Sequence, residues 1–81
     1  MSQSLTKFEQ ALAEFKRRCE AHRVLKNLHI VETRLREETN GMTVYFDPES
    51  VDGFIVLDSL SPIEAEIDEK YDICFAAIPA H

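Results

Sequence analysis

Leu5, Phe8, Leu12, Phe15 and Cys19, continued by His22, recur at spacings of 3, 4, 3, 4 and 3. That rhythm places them on one stripe and predicts an amphipathic helix over residues 5–26. Ala11, Ala13 and Ala21 favour it, and the segment holds neither Gly nor Pro. Two starts are available: Ser4 as N-cap, or Thr6 with Glu9 as a capping box. Lys16, Arg17, Arg18, Arg23 and Lys26 suit the negative end of the helix dipole.

The rhythm then changes from helical to alternating. Residues 28–47 predict a β-hairpin turning at Asn40-Gly41, a pair that tolerates positive φ. A two-residue loop there sets Thr39 against Met42, Glu37 against Val44 and Leu35 against Phe46. With Val31 and Thr33 these make one mostly apolar face. The other face pairs Glu38 with Thr43, Arg36 with Tyr45 and Arg34 with Asp47, and the last pair is oppositely charged. A rival helix through Leu28, Val31 and Leu35 to a Gly41 cap leaves Met42–Phe46 without a partner, so the hairpin is preferred.

Asp47–Gly53 is rich in turn residues. Phe54–Leu57 is apolar on both faces and predicts a central strand buried on both sides. Asp58–Ser61 reads as a break. Residues 62–70 fit two patterns. Ser61, Pro62 and Glu64 make a helix start, whereas Ile63, Ala65 and Ile67 alternate with acids as in an edge strand. The helix is slightly favoured. Tyr71–Ile78 predicts the last strand, with Cys74 as a small core residue, and Pro79–His81 a short tail. If residues 62–70 are helical, Leu60, Ile63 and Ile67 cover the sheet face opposite the first helix; if they are a strand, that face is bare. The expected fold is one α+β domain over residues 1–81. Its long N-terminal helix packs on an antiparallel sheet of about four strands, in the order α-β-β-β-(α or edge β)-β.

Composition agrees with a folded chain, since 44% of the 81 residues are apolar. Ile73–Ala80 is too short to span a membrane, where ~20 apolar residues are needed. No basic start with an apolar core marks a leader. Cys19 and Cys74 make no disulfide framework. These features read as cytoplasmic.

Charge changes the picture most. Residues 1–41 hold eight Lys/Arg and six Asp/Glu, whereas residues 42–81 hold Lys70 alone and nine Asp/Glu, giving +2 and −8 and the net −6. Asp58, Glu64, Glu66, Asp68, Glu69 and Asp72 fall within fifteen residues. Such a set speeds encounter with a basic surface. It equally suits a solvated face that keeps a small protein soluble.

Candidate chemistry is sparse. Cys19 and His22 share a helix face, but zinc needs about four ligands, and His29 and Cys74 lie far off in sequence. Neither His22 nor His29 is tied to a nucleophile by spacing. Ser50, Ser59 and Ser61 lack a Gly-flanked elbow, and two glycines, Gly41 and Gly53, cannot build a phosphate loop. No catalytic residue, cofactor or metal is expected. The basic residues spread around the helix among Glu9, Glu14 and Glu20, and the net charge opposes direct nucleic-acid binding. The reading that follows is a non-enzymatic protein that inhibits or modulates a basic partner, as an inhibitor, immunity-type or regulatory factor does. A nucleic-acid-binding partner met by phosphate mimicry is one version of it. The alternatives are self-association, with a homodimer, and a small hydrolase or metal-binding protein.

Overall fold

A computed structural model describes residues 6–80. The elements are α1 (Lys7–Glu20), β1 (Ile30–Arg36), β2 (Gly41–Phe46), α2 (Val56–Tyr71) and β3 (Cys74–Pro79). Among the described residues the fold is α+β, with two α-helices on a three-stranded mixed sheet ordered β1-β2-β3. β1 runs antiparallel to β2, and β3 runs parallel to it. The expected sheet of about four antiparallel strands is corrected to this arrangement. The cause is α2: a helix of 16 residues returns the chain by about 24 Å, so the next strand repeats the direction of the last.

α1 begins at the capping box. Glu9 donates its N–H to Thr6 Oγ1 at 3.1 Å, and Thr6 donates its N–H to Glu9 Oε1 at 3.0 Å. Ser4, the rival cap, and Leu5 lie outside the described residues. The helix ends six residues before the expected boundary. His22 Nδ1 accepts the Val24 N–H at 3.1 Å, which takes that donor out of the helical ladder, and Leu25 turns fully into the core.

The hairpin forms, but its register is slid by four residues. Arg36 opposes Gly41, Leu35 opposes Met42 and Thr33 opposes Val44. The loop holds four residues: Glu37–Thr39 make a 3-10 turn, and Asn40 is left-handed at φ 56°. Gly41 is thus the first residue of β2. An even slip keeps Thr33 and Leu35 on the face of Val44 and Met42, as expected. Val31 is inserted without a partner between Ile30 and Glu32.

Phe54–Leu57 is not a strand. Phe54 and Ile55 belong to the lead-in, and Val56 and Leu57 already lie in α2. Val56, Leu60, Ile63 and Ile67 are buried at spacings of 4, 3 and 4, a helical stripe that continues through the expected break. Both helices cover the same sheet face, above Met42, Val44, Phe46, Phe75 and Ala77, and these join one buried cluster with Phe8, Ala11, Phe15 and Cys19. The expectation that α2 covers the opposite face is therefore corrected. Cys74 and Ile78 are exposed on that face, so Cys74 is not a core residue. Pro79 closes β3 rather than opening a tail, and Ala80 donates its N–H to the Phe46 carbonyl at 2.8 Å; His81 lies outside the described residues.

Candidate functional site

The six clustered acids separate once α2 forms. Glu64 and Asp68, one turn apart and half-buried, face β3 rather than solvent. Asp68 Oδ1 accepts the Phe75 N–H, and Glu64 Oε1 accepts the Ala77 N–H at 3.4 Å. Cys74 and Ala80 send their N–H groups to Asn40 and Phe46, toward β2. Alternation turns Phe75 and Ala77 to the outer edge. Pro79, next in that series, has no N–H. The outward donors of this edge strand are thus satisfied or missing, which blocks pairing there.

Glu66 pairs with Arg18 across the helices. Asp72 is left-handed at φ 54° and caps α2, donating its N–H to the Asp68 carbonyl. Its own carbonyl accepts from Asn40 Nδ2 and, at 3.5 Å, from Lys7 Nζ. Asp58 lies in the first turn of α2, where a negative charge suits the dipole. Eleven residues separate it from exposed Glu69, or about 16 Å along the helix. Of the six, only Glu66 and Glu69 share a cleft, one of about 410 Å³ lined also by Glu14, Arg18 and Lys70.

Glu14 is the group the sequence concealed, since it reads there as one acid among basic neighbours. It is buried at 7% exposure, beside Ala11 and Phe15 on the core side of α1. Glu14 Oε1 accepts from Lys70 Nζ at 2.7 Å and from Tyr71 Oη at 2.8 Å. Arg18 lies at 3.7 Å and Arg17 at 3.8 Å. The Lys70 hydrogen bond, and next that of Tyr71, lower its pKa against the opposing effect of burial. It is a carboxylate held ionised, tying α1 to α2. Glu64 goes the other way: burial raises its pKa, and the Ala77 N–H opposes only in part.

The two shifts give opposite pH dependences. A lowered folded pKa contributes stability above the ordinary carboxylate range and loses it as pH falls through the folded value; a raised one contributes below that range and loses it as pH rises. Glu14→Gln should therefore lower the urea midpoint at pH 7 and much less at pH 3. Glu64→Gln, whose amide oxygen still accepts from Ala77, should hold or raise the midpoint at pH 7 and bring no gain at pH 3. Urea unfolding of both variants at the two pH values checks the signs, and shifts of one sign for both would refute the assignment.

Burial pushes the Cys19 thiol up to about 11, which suits an inert core thiol. His22 Nδ1 is occupied by the Val24 N–H. Among the described residues, no three His, Cys, Asp or Glu side chains group closely enough to hold a metal ion. None of their helices is long and apolar enough to cross a membrane.

Among the described residues the most exposed large apolar group is Phe54, at 96%, followed along the chain by Ile55 at 43% and Leu57 at 54%. Asp52 builds this tip. Its Oδ1 accepts the Phe54 N–H at 2.9 Å, and its carbonyl accepts the Val56 N–H at 3.0 Å. Val56 then turns inward and Leu57 outward. Asp52 and Asp58 flank the apolar side chains in the chain.

No family model matches this chain, and comparison with curated proteins and with solved structures returns no match.

Proposed function

We propose that this chain is a small non-enzymatic binding protein that inhibits or modulates a partner with a basic surface. Phe54 is its anchor, Asp52 and Asp58 are the exposed acids beside it in the chain, and exposed Glu69, about 16 Å further along α2, adds to the negative field. The exposure of Phe54 carries the reading. An aromatic ring left in water forgoes about 1.5–3 kcal/mol of burial, and aromatic anchors within a charged rim are what interface hot spots are made of. The partner this surface fits has an apolar cleft edged by Lys or Arg. The cleft at Glu14 supports the non-enzymatic part, because Glu14 Oε1 is already engaged by Lys70 and Tyr71 in a tie between the two helices. In the phosphate-mimic version the partner binds nucleic acid, and the acids compete for that site.

The test is affinity capture from lysate at low and moderate salt, with Phe54→Ser alongside, followed by titration of the purified partner. Phe54 supports nothing in the core, so the variant stays folded. Its loss should weaken binding by about 30-fold or more, as for a hot spot of 2 kcal/mol. Asp58→Asn with Glu69→Gln should slow association and flatten the salt dependence. A partner held equally well by Phe54→Ser would overturn the proposal. Self-association draws support from a separate surface, the free edge of β1.

A further inference from the structure

The two edges of the sheet are finished differently. On β3 the outward donors go to Asp68 and Glu64, and Pro79 has none to offer. On β1 nothing among the described residues lies beyond the strand, and every residue from Val31 to Arg36 is exposed. Leu35 and Thr33 oppose Met42 and Val44, so they share the helix-bearing face of the sheet. Yet Val31 and Leu35 are each 51% exposed, because α1 and α2 lie over β2 and β3. An edge strand with free backbone groups and uncovered apolar side chains is a template for another strand.

The sequence of β1 specifies which strand fits. It reads Ile30-Val-Glu-Thr-Arg-Leu-Arg36, and its five residues 31–35 are complementary to themselves about Thr33. Turn a second copy antiparallel about a two-fold axis through Thr33. Thr33 then faces Thr33, Glu32 faces the second copy's Arg34, and Val31 faces the second copy's Leu35. Each contact repeats through the axis, as an isologous interface requires. Threonine pairs and opposite charges are favourable across strands. Other registers fail. Moving the axis to Arg34 sets arginine on arginine, and moving it to Glu32 sets glutamate on glutamate. An axis between Thr33 and Arg34 opposes Glu32 to Leu35 and mixes the faces.

The geometry points to a homodimer in which β1 pairs antiparallel with β1 of a second copy, centred on Thr33, to make one six-stranded sheet. Leu35 of each copy, on the helix-bearing face opposite Met42, then meets Val31 of the other. Arg34 is preset for this role, since its Nε already meets Glu32 Oε2 at 2.5 Å and its guanidinium lies 5.4 Å from the Tyr45 ring. Two such pairs would merge into a four-charge row along the joined strands.

Sedimentation equilibrium at 0.15 M salt, where repulsion between the acidic chains is screened beyond about 8 Å, tests this with substitutions at exposed positions. Wild type at high micromolar concentration should approach twice the chain mass of 9.3 kDa. Glu32→Arg should be monomeric, because two arginines of one copy face two of the other. Arg34→Glu should be monomeric for the mirrored reason. A mixture of these two variants should pair, and the double variant Glu32→Arg/Arg34→Glu should regain the dimer. Wild type that stays monomeric to millimolar concentration, or single variants whose mixture does not pair, overturns the proposal. Phe54→Ser keeps the dimer, so failure of this interface and failure of the Phe54 surface are separate results.

Discussion

Phe15→Ala is expected to cost about 3–5 kcal/mol, the range for emptying a fully buried aromatic site. Phe15 has no exposed surface. Its ring sits 5.0 Å from the Phe75 ring at 51°, the tilted arrangement that aromatic pairs favour. It is where α1 meets the sheet, so its loss removes the contact that holds the first helix to the last strand. A chain of 81 residues has about 4–12 kcal/mol of stability in all, so this one change removes roughly a quarter of it or more. Urea unfolding followed by far-ultraviolet ellipticity should show the midpoint falling steeply or the variant unfolded in buffer. A midpoint within the scatter of surface variants would mean that α1 is not seated as described.

The stripe that seats Phe15 was legible because a helical spacing of 3 and 4 has no competing interpretation over 14 residues. Phe8, Phe15 and Cys19 are buried as the spacing requires. Glu14 was not legible, because an acid at a stripe-adjacent position is normally solvent-facing; what draws it inward is Lys70 and Tyr71, 56 and 57 residues away. The hairpin was legible and its register was not. Asn-Gly permits a two-residue loop, but the chain spends Glu37–Thr39 on a 3-10 turn and uses only Asn40 for positive φ. Phe54–Leu57 failed for another reason. Four apolar residues in a row carry no period, so strand and helix start look alike, and Val56 belongs with Leu60 and Ile63 only once Asp58–Ser61 is helical.

The acidic half shows the same limit for the candidate site. Charge counting treats Glu64 and Asp68 as equal to Asp58 and Glu69. In α2 the first two lie beside Leu60, Ile63 and Ile67 and are consumed by β3, whereas the other two face water. Phe54, the anchor of the proposed surface, could not be found by periodicity, because the run that contains it reads as buried. The self-complementarity of β1 is in the sequence throughout, but it acquires meaning only when β1 is known to be an edge.

Pro62→Ala is expected to raise stability by about 2 kcal/mol. Pro62 is exposed and is the seventh residue of α2. It has no N–H to give to the Asp58 carbonyl, and its ring crowds that carbonyl. In a helix interior proline is about 3 kcal/mol less favourable than alanine, offset by about 0.4–1 kcal/mol because proline also restricts the unfolded chain. The helix nonetheless runs through, for two reasons. Leu60 has no exposed surface and Val56 is 5% exposed, so the two turns before the proline are fixed by burial worth about 1.5–3 kcal/mol per side chain. Ser61 Oγ also donates to the Leu57 carbonyl at 3.0 Å, which adds a local bond beside the missing one. At ~4–8 °C per kcal/mol for a domain of this size, the melting temperature should rise by about 8–16 °C. A chain whose helix instead began at Pro62, as the Ser61-Pro62-Ile63-Glu64 pattern suggests, would gain nothing, because proline at the first helical position is already well placed. Thermal melting of this one variant thus decides between a continuous α2, which carries Leu57 and Asp58 on its outer side next to Phe54, and a short helix preceded by a separate turn.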